Sequence, residues 1–250
     1  MRPQDSLPLI ADLEPPELLV HDEVTPCPYL PGLQARMPLR LPIRMLRPAE
    51  LDVRLQQGDR RHGMLLYRTA CPGCQACEAI RIPVDRFRPG KTHRRILAHN
   101  DARIRLELGS PATSRSRVLL YEKHLAGRHL RASDDDPMNL ARYRQFLADT
   151  CCSTLEFSYW LGDKLIGVGI TDVGKTGLSA HYTFYDPDYP SWSLGTYSIL
   201  KQLEVARRQG LAYLYLGLYV ADNAHMRYKA RFLPHERLID GGWRPFDRTG

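Results

Sequence analysis

Hydrophobic residues in the second half of the chain recur with two different periods. Helical spacing is present in SRVLLYEKHLAGRH and in TYSILKQLEVARRQG, the second of which ends at Gly210. Between these stretches, residues 156–187 form three runs of strand-like residues separated by the turn signals GD and GKTG. The pattern predicts an antiparallel meander of three strands, followed by a crossover helix.

Three more elements complete this half of the chain. A helix is predicted over residues 134–150, because acids at its first positions favour a helix N-terminus. AYLYLGLYV predicts a strand, and a last helix is predicted from near Asp222 through NAHMRYKARF. The predicted order is two helices, three strands, a helix, a strand and a final helix.

The first half predicts a smaller sheet with two helices. Residues 1–26 are rich in proline and acid, which indicates an arm without its own core. We therefore expect an α+β (mixed α/β) protein with two domains. The N-terminal domain, 1–110, contains the acidic arm, a cysteine cluster and a basic segment, and 111–250 forms the second domain. Strands are predicted over 36–45, 63–70, 79–87 and 102–108, and helices over 49–58 and 92–102.

Composition agrees with a globular protein outside the membrane. The 250 residues are 43% hydrophobic and 25% charged, and no run of eighteen apolar residues is present to span a bilayer. MRPQDSLPLIADLEPPELL lacks the basic start, apolar middle and cleavage site of a secretory signal. The sequence therefore predicts a cytoplasmic protein without a membrane partner.

Charge is unevenly distributed along the chain. The formal net charge is +7, yet residues 1–26 carry six acids and one arginine. Residues 60–117 carry thirteen Lys or Arg against four acids, with Tyr67, Phe87 and His93 interleaved. This pattern is typical of a surface for the phosphate backbone of nucleic acid, although a solvated basic face accounts for it equally well.

Six cysteines are present, and four of them suggest a metal site. CPGCQAC places Cys71, Cys74 and Cys77 within seven residues, and Cys27 in TPCPYLP supplies a fourth sulfur. Four thiolates suit zinc or an iron–sulfur cluster. Core packing is the alternative, because reduced cysteine is commonly buried, and it is the preferred interpretation for the Cys151-Cys152 pair.

The order of elements resembles the GNAT-type N-acyltransferase fold. NAHMRYKARF is similar to the Asn…Tyr…Gly-Phe ending of such domains, with Asn223, Tyr228 and Phe232 in place and Arg231 at the glycine position. In that fold a glycine-rich turn at a helix N-terminus holds the pyrophosphate of CoA. Tyr197 in WSLGTY occupies the position that needs Gly or Ala, so the resemblance implies a GNAT-like C-terminal half without CoA.

Further blocks resemble the aminoacyl-tRNA–protein transferases, and within them the bacterial aspartate/glutamate leucyltransferases. They occur in family order over residues 25–246. Together they are specific, whereas each alone is weak. The blocks are TPCPYLPG, LQQGDRRHGMLLYR, CPGCQACEAIRIPVDRFRPGKTHRR, GLSAHYTFYDPD, SLGTYSILKQLE and HMRYKARFLPHERLIDGGWRPF.

This resemblance implies transfer of leucine from leucyl-tRNA to the N-terminal amine of proteins that begin with Asp or Glu, which marks them for degradation. In the first cysteine block, the arginyl enzymes look like Cys-x-x-Cys, whereas here Leu30 stands where the second cysteine would be. This difference favours the leucyl branch. The alternatives are arginyl transfer, CoA-dependent acetylation and a tRNA-binding module without catalysis. We expect a monomer that requires no cofactor, with zinc or an iron–sulfur cluster as an option.

An aminoacyl ester is already activated, so the enzyme mainly orients the amine and stabilises the oxyanion. Asp186 is the first candidate to contact the ammonium, with Tyr182 and Tyr185 as proton relays. His181 ranks second as a base, since it is equally explained by alternation along a strand. For Asp186 the competing interpretation is a turn that caps backbone N–H groups.

Recognition of an acidic side chain calls for a fixed cation, because arginine binds carboxylate with defined geometry. A solvated face is the competing interpretation for each cation. Candidates for the substrate are Arg60, Arg61 and Lys91, with Gly195 and Tyr228 at the acyl site. Candidates for tRNA are Arg94, Arg95, Lys229 and Arg231.

Overall fold

The computed structural model describes residues 7–130 and 136–247. Short 3-10 turns at Pro190–Trp192 and Arg227–Arg231 and a π-helical turn at Arg144–Ala148 connect longer elements. In chain order the helices and strands are β1 (Leu9–Ile10), β2 (Glu17–His21), β3 (Val24–Pro26), β4 (Gln34–Arg36), β5 (Leu39–Pro42), α1 (Pro48–Gln56), β6 (Arg60–His62), β7 (Leu65–Tyr67), β8 (Glu78–Pro83), α2 (Lys91–Asp101), β9 (Ile104–Gly109), α3 (Arg115–Gly127), α4 (Leu140–Tyr143), β10 (Thr154–Leu161), β11 (Lys164–Val173), β12 (Gly177–Tyr185), α5 (Leu194–Arg208), β13 (Tyr213–Tyr219), β14 (His235–Ile239) and β15 (Gly242–Phe246).

A mixed sheet of eight strands lies at the centre of the fold, in the order β15-β14-β8-β13-β12-β11-β10-β9. The predicted meander is confirmed, since β10, β11 and β12 pair antiparallel in succession. β12 and β13 pair in parallel, which requires a crossover between them, and α5 provides it. β8 and β9 precede residue 110, so this sheet extends across the predicted domain boundary.

Helices cover both faces of the large sheet and bury its apolar residues. On one face, Leu200 and Leu203 of α5 join a core cluster with Phe157 and Leu214 of the sheet. On the other face, Tyr121 of α3 belongs to a second buried cluster that includes strand residues of β11 and β12. Both faces of the sheet are therefore covered, in agreement with the nearly continuous apolar runs of its central strands.

The predicted free arm is instead part of a five-stranded sheet, in the order β1-β2-β5-β7-β6. Glu17 of β2 is fully buried and pairs with two arginines. Its carboxylate lies 3.0 Å from Arg40 and 2.7 Å from Arg54. The acidic composition of this segment therefore reflects internal ion pairs, whereas residues 1–6 of the arm lie outside the described residues.

The segment predicted as the final helix also has a different structure. Asn223 forms a local turn, in which its Oδ1 accepts a hydrogen bond from His225 N at 2.9 Å, and only the short turn Arg227–Arg231 follows. Such side-chain bonds compete with helix formation.

The helix predicted over 134–150 is limited to α4 and the π turn, and Asp134 and Asp135 lie outside the described residues. In 7–130 and 136–247, no helix combines the length and apolar character needed to cross a membrane.

Candidate functional site

A fork opens where β12 and β13 stop pairing. Their parallel register ends at Ser179 opposite Tyr215, although both strands continue. Each strand has a bulge close to this point. His181 is the extra residue of β12 against β11, and Leu216 is the extra residue of β13 against β8. Paired bulges next to an interrupted ladder are typical of functional sites, because they redirect side chains and free backbone groups.

The guanidinium of Arg60 occupies this fork. Its Nη2 donates a hydrogen bond to the carbonyl of His181 on β12 at 3.4 Å. On the β13 side it lies against Gly217, where an added Cβ would be 1.4 Å from Arg60 Nη1. Gly217 has φ +83°, a conformation that also favours glycine. Nη1 is buried without a hydrogen-bond partner in the described part of the chain.

Lys229 lies beside β13 in the fork, and the residue is 8% exposed. Its Nζ donates a hydrogen bond to Leu218 O of β13 at 2.5 Å. Burial and the nearby Arg60 cation lower the pKa of Lys229 to about 7. Lys229, which was predicted to contact the acceptor end of tRNA, is therefore buried, whereas Arg231 on the same turn is exposed. The predicted role of both residues in tRNA binding stays a prediction.

Tyrosine side chains form the rim of the fork. Tyr228 is 38% exposed, and burial of the phenol, reinforced by the neighbouring Tyr185, raises its pKa to about 12. The ring of Tyr185 lies against the first turn of α5, where an added Cβ on Gly195 would be 3.2 Å from Tyr185 Cε1. Five of the residues predicted for catalysis or binding are therefore neighbours in the structure: Arg60, His181, Tyr185, Gly195 and Tyr228.

Asp186 follows β12 and is engaged by two lysines. Its carboxylate lies 2.6 Å from Lys123 Nζ and 2.8 Å from Lys164 Nζ, and Oδ1 accepts the backbone N–H of Asp188 at 3.1 Å. Burial opposes ionisation, but the two lysines outweigh it, and the pKa of Asp186 is lowered. It is a carboxylate at neutral pH with low basicity, and its local turn agrees with the alternative capping interpretation.

His181 is a buried, neutral imidazole. Burial and the cations Arg61 and Arg60 lower its pKa to about 3, and Asp172 opposes this only in part. Neither ring nitrogen has a hydrogen-bond partner among the described residues. With this pKa, His181 is a poor proton acceptor at neutral pH, which weakens its predicted role as a base.

Tyr182 belongs to an aromatic cluster on the α3 face of the sheet. Its ring centroid is 5.7 Å from that of Tyr121 and 5.4 Å from that of Phe146, and burial raises its pKa. Its neighbour along the strand, Tyr185, packs instead with the core cluster of the α5 face. The structure therefore separates the two predicted proton relays.

Arg61 is buried and bound to internal groups. It is 4% exposed, and its Nη2 lies 2.9 Å from Asp172 Oδ1, while Nε is 3.0 and 2.9 Å from the two carboxylate oxygens. Nη1 donates to Gly63 O at 2.9 Å. Because these internal groups engage its guanidinium, Arg61 has a structural role here, and its predicted binding of the substrate stays a prediction without support from this geometry.

The remaining predicted cations lie on the surface of α2. Lys91, Arg94 and Arg95 are exposed, and Arg94 Nη1 donates a hydrogen bond to Pro89 O at 2.7 Å. They therefore share one helix, as expected for groups that contact a polyanion. Their role in binding stays a prediction.

Tyr197 lies in the first turns of α5, where the resemblance to the GNAT fold expects Gly or Ala. The residue is 1% exposed, and its hydroxyl donates a hydrogen bond to Asp101 Oδ1 of α2 at 2.8 Å. Its ring also packs on Tyr159, with centroids 5.6 Å apart. The place where the resemblance expects a glycine is therefore filled by a side chain that is part of the core.

The structure brings the four cysteines of the predicted metal site near one another. Burial raises the pKa of Cys77 to about 12, and the thiols of Cys71, Cys27 and Cys74 add to this effect. All four are reduced and partly buried. No group of three or more candidate ligands in residues 7–130 and 136–247 is arranged to hold a metal ion. The zinc or iron–sulfur site stays a prediction.

Comparison with known proteins gives a consistent result over most of the chain. Residues 25–95 match the model of the arginine-tRNA-protein transferase N terminus, and residues 116–239 match that of the C terminus. An aspartate/glutamate leucyltransferase of Halorhodospira halophila is 40% identical over 220 residues, 87% of this chain and 92% of that protein. One of Alkalilimnicola ehrlichii is 42% identical over 219 residues, 87% of this chain and 90% of that protein.

Among solved structures, the similarity is weaker. The C-terminal domain of a putative lysylphosphatidylglycerol synthetase from Agrobacterium fabrum is 14% identical with a TM-score of 0.48. The matched region covers 69% of this chain and 59% of that chain.

Proposed function

This chain belongs to the arginine-tRNA-protein transferase family, and we propose that it transfers leucine from leucyl-tRNA to proteins that begin with Asp or Glu. The relatives named aspartate/glutamate leucyltransferase, at 40% and 42% identity, support this donor and these acceptors. The observation in the structure that carries the proposal is the fork between β12 and β13. It combines Arg60, which has no acidic partner among the described residues and whose Nη1 is buried without a hydrogen bond there, with a tyrosine rim.

The reaction is aminolysis of an ester. The unprotonated α-amine attacks the carbonyl carbon of the aminoacyl ester, a C–N bond forms, and the C–O bond to the terminal ribose of tRNA breaks. The amine loses a proton and the ribose oxygen gains one. Because an α-amine has a pKa of about 7.7 to 8.0, a useful fraction is unprotonated near neutral pH, and no strong base is required.

This low demand for a base agrees with the groups present. Asp186 and His181 both have lowered pKa values and hold protons poorly at neutral pH. We assign Asp186 to local electrostatics at the end of β12, beside Tyr185, and keep Arg60 as the residue that recognises the acidic side chain. Gly195 and Tyr228 are proposed to border the acyl group.

The tRNA is proposed to contact the exposed cations of α2 together with Arg231. Lys91, Arg94 and Arg95 are on one helix and exposed, so phosphate oxygens can reach them without displacing core residues.

The finer fold assignment, a GNAT-like half without a CoA cradle, is part of the proposal, and buried Tyr197 supports it. We further propose a cytoplasmic monomer that needs no cofactor, with a metal at the cysteines as an option.

Arginyl transfer is the second candidate, because the matching family models carry the arginine name. A single assay separates the candidates. Leucyl-tRNA, arginyl-tRNA and acetyl-CoA are offered separately with peptides that begin with Asp, Glu, Lys or Arg. Transfer of labelled leucine to the Asp and Glu peptides alone is expected. Arginine transfer would replace the leucine proposal, acetyl transfer would refute the carrier, and tRNA binding without product would indicate a binding module.

A further inference from the structure

The fork holds two cations close together, and each is attached to a different strand. Arg60 Nη2 bonds to His181 O of β12, and Lys229 Nζ bonds to Leu218 O of β13. These bonds replace the backbone ladder that would otherwise join the two strands at this point. Their proximity follows from β13, because Arg60 lies against Gly217 and Lys229 Nζ bonds to the carbonyl of the next residue, Leu218.

The charge of this pair is not compensated by the protein. Within the described residues, no carboxylate forms a salt bridge with the partly buried Arg60 or with Lys229, although the buried arginines Arg54 and Arg61 have acidic partners. Burial of like charges without a partner is costly. Among the described residues, Arg60 Nη1 is buried and unbonded. The Lys229 ammonium has three donors, and its contacts are Leu218 O at 2.5 Å and the weak acceptor Met226 Sδ at 3.7 Å, so a further donor is available to a ligand. The arrangement is therefore suited to an anion.

We propose that Arg60 and Lys229 together form the subsite that binds the side-chain carboxylate of the acceptor's N-terminal residue. This inference rests on the proposed function and adds Lys229, which the sequence assigned to tRNA. A carboxylate between the two cations would accept hydrogen bonds from both and would raise the pKa of Lys229 again. Since the α-amine is only a few bonds from this carboxylate, anchoring the side chain also places the amine near the tyrosine rim.

A small carboxylate fits the location better than a phosphodiester. Lys229 is 8% exposed, so an anion must enter the fork to reach it, and a phosphate within a polynucleotide is hindered by its two ester substituents. The exposed cations of α2 have no such restriction. The site therefore discriminates by charge at a buried position, where a neutral amide leaves the cations unpaired.

The test measures binding of tetrapeptides that begin with Asp or Asn, by fluorescence anisotropy and without tRNA. Wild type should prefer Asp. Lys229→Met and Arg60→Gln should each weaken Asp binding about 10- to 100-fold, as expected for loss of one charge-assisted bond, and leave Asn binding nearly unchanged. Arg227→Met, which removes an exposed charge from the same turn, is the matched control and should keep the wild-type preference.

The readout is the ratio of the affinities for the Asp and Asn peptides. This ratio does not depend on the fraction of folded protein in a preparation. Equal loss for both peptides would overturn the inference. So would an Arg60→Gln protein with the wild-type ratio, which decides the matter even if Lys229→Met does not fold. Weaker tRNA binding with an unchanged ratio would assign the pair to phosphate and also refute the subsite. Preference for Asp that depends on both cations, without any transfer from leucyl-tRNA, would support the subsite and refute the proposed function.

Discussion

Gly217→Ala should expel Arg60 from the fork. The added Cβ would be 1.4 Å from Arg60 Nη1 and 2.2 Å from its Cζ, so the guanidinium must leave. The backbone at φ +83° adds about 1–2 kcal/mol of strain for a residue with a side chain. Loss of the bond to His181 O adds about 1 kcal/mol, which is below the about 1.5–3 kcal/mol of an ordinary bond from a charged donor because this bond is 3.4 Å long.

We therefore expect Gly217→Ala to reduce the free energy of unfolding by about 2–3 kcal/mol. Urea unfolding measures this loss of stability. The loss of activity is measured as kcat/KM with a peptide that begins with Asp. Gly210→Ala is the matched control. Gly210 also has a positive φ, +68°, but an added Cβ there has no atom within 4 Å. The Gly210→Ala protein should lose only the about 1–2 kcal/mol of stability that backbone strain costs, and it should keep full activity.

A double variant isolates the contact. In an Arg60→Ala background the guanidinium is absent, so adding Gly217→Ala should cost only the backbone strain and should cause no further loss of activity. Equal destabilisation by Gly217→Ala and Gly210→Ala, together with wild-type kcat/KM in the first, would refute the placement of Arg60 against Gly217.

Three further predictions concern charged residues outside the fork. Arg61→Met leaves the buried Asp172 carboxylate unpaired and should lower the free energy of unfolding by about 3–5 kcal/mol in urea titrations, with the Asp-over-Asn preference retained. The pKa of Asp186 is lowered on folding, so its stabilisation is complete above the unfolded pKa and is lost as pH falls through the folded one; the stability difference between wild type and Asp186→Asn should shrink between about pH 5 and pH 2. Wild-type transfer by Asp186→Asn would exclude that carboxylate from catalysis. Joint replacement of Arg94 and Arg95 by Ala should weaken tRNA binding and reduce its logarithmic salt slope by about 1–2, and unchanged binding would contradict their role.

Local periodicity was sufficient for much of the fold, and long-range pairing was not. β10 to β12, α5 and β13 were predicted because each is a long segment whose burial follows its own pattern. The apolar runs of β8 and β9 predicted strands correctly, but a run of apolar residues does not specify which sheet it joins. The final helix failed because the Asn223 side chain bonds to the backbone of His225, a competition that spacing alone does not reveal.

The site shows the same limit for charged residues. Arg60, Gly195 and Tyr228 were predicted and lie together, whereas Lys229 was predicted to meet the acceptor end of tRNA and is buried. Its burial depends on the separation of β12 and β13, which is a tertiary feature. One signal was available. An isolated glycine within the strand pattern AYLYLGLYV indicates a bulge or a close contact, and Gly217 has both.

The distribution of cations gives a reason for two separate anion sites in one transferase. Exposed cations such as those of α2 favour a polyanion, because each phosphate contact releases counterions and little protein desolvation opposes it. Buried cations are poor at this task, yet they discriminate strongly between a carboxylate and a neutral amide, since the wrong ligand leaves them unpaired. In the proposed GNAT-like half, buried Tyr197 occupies the position of the pyrophosphate cradle, and the two proposed anion sites take over its role. Affinity for the carrier and selectivity for the acceptor should therefore be separable by substitution, on α2 and in the fork respectively.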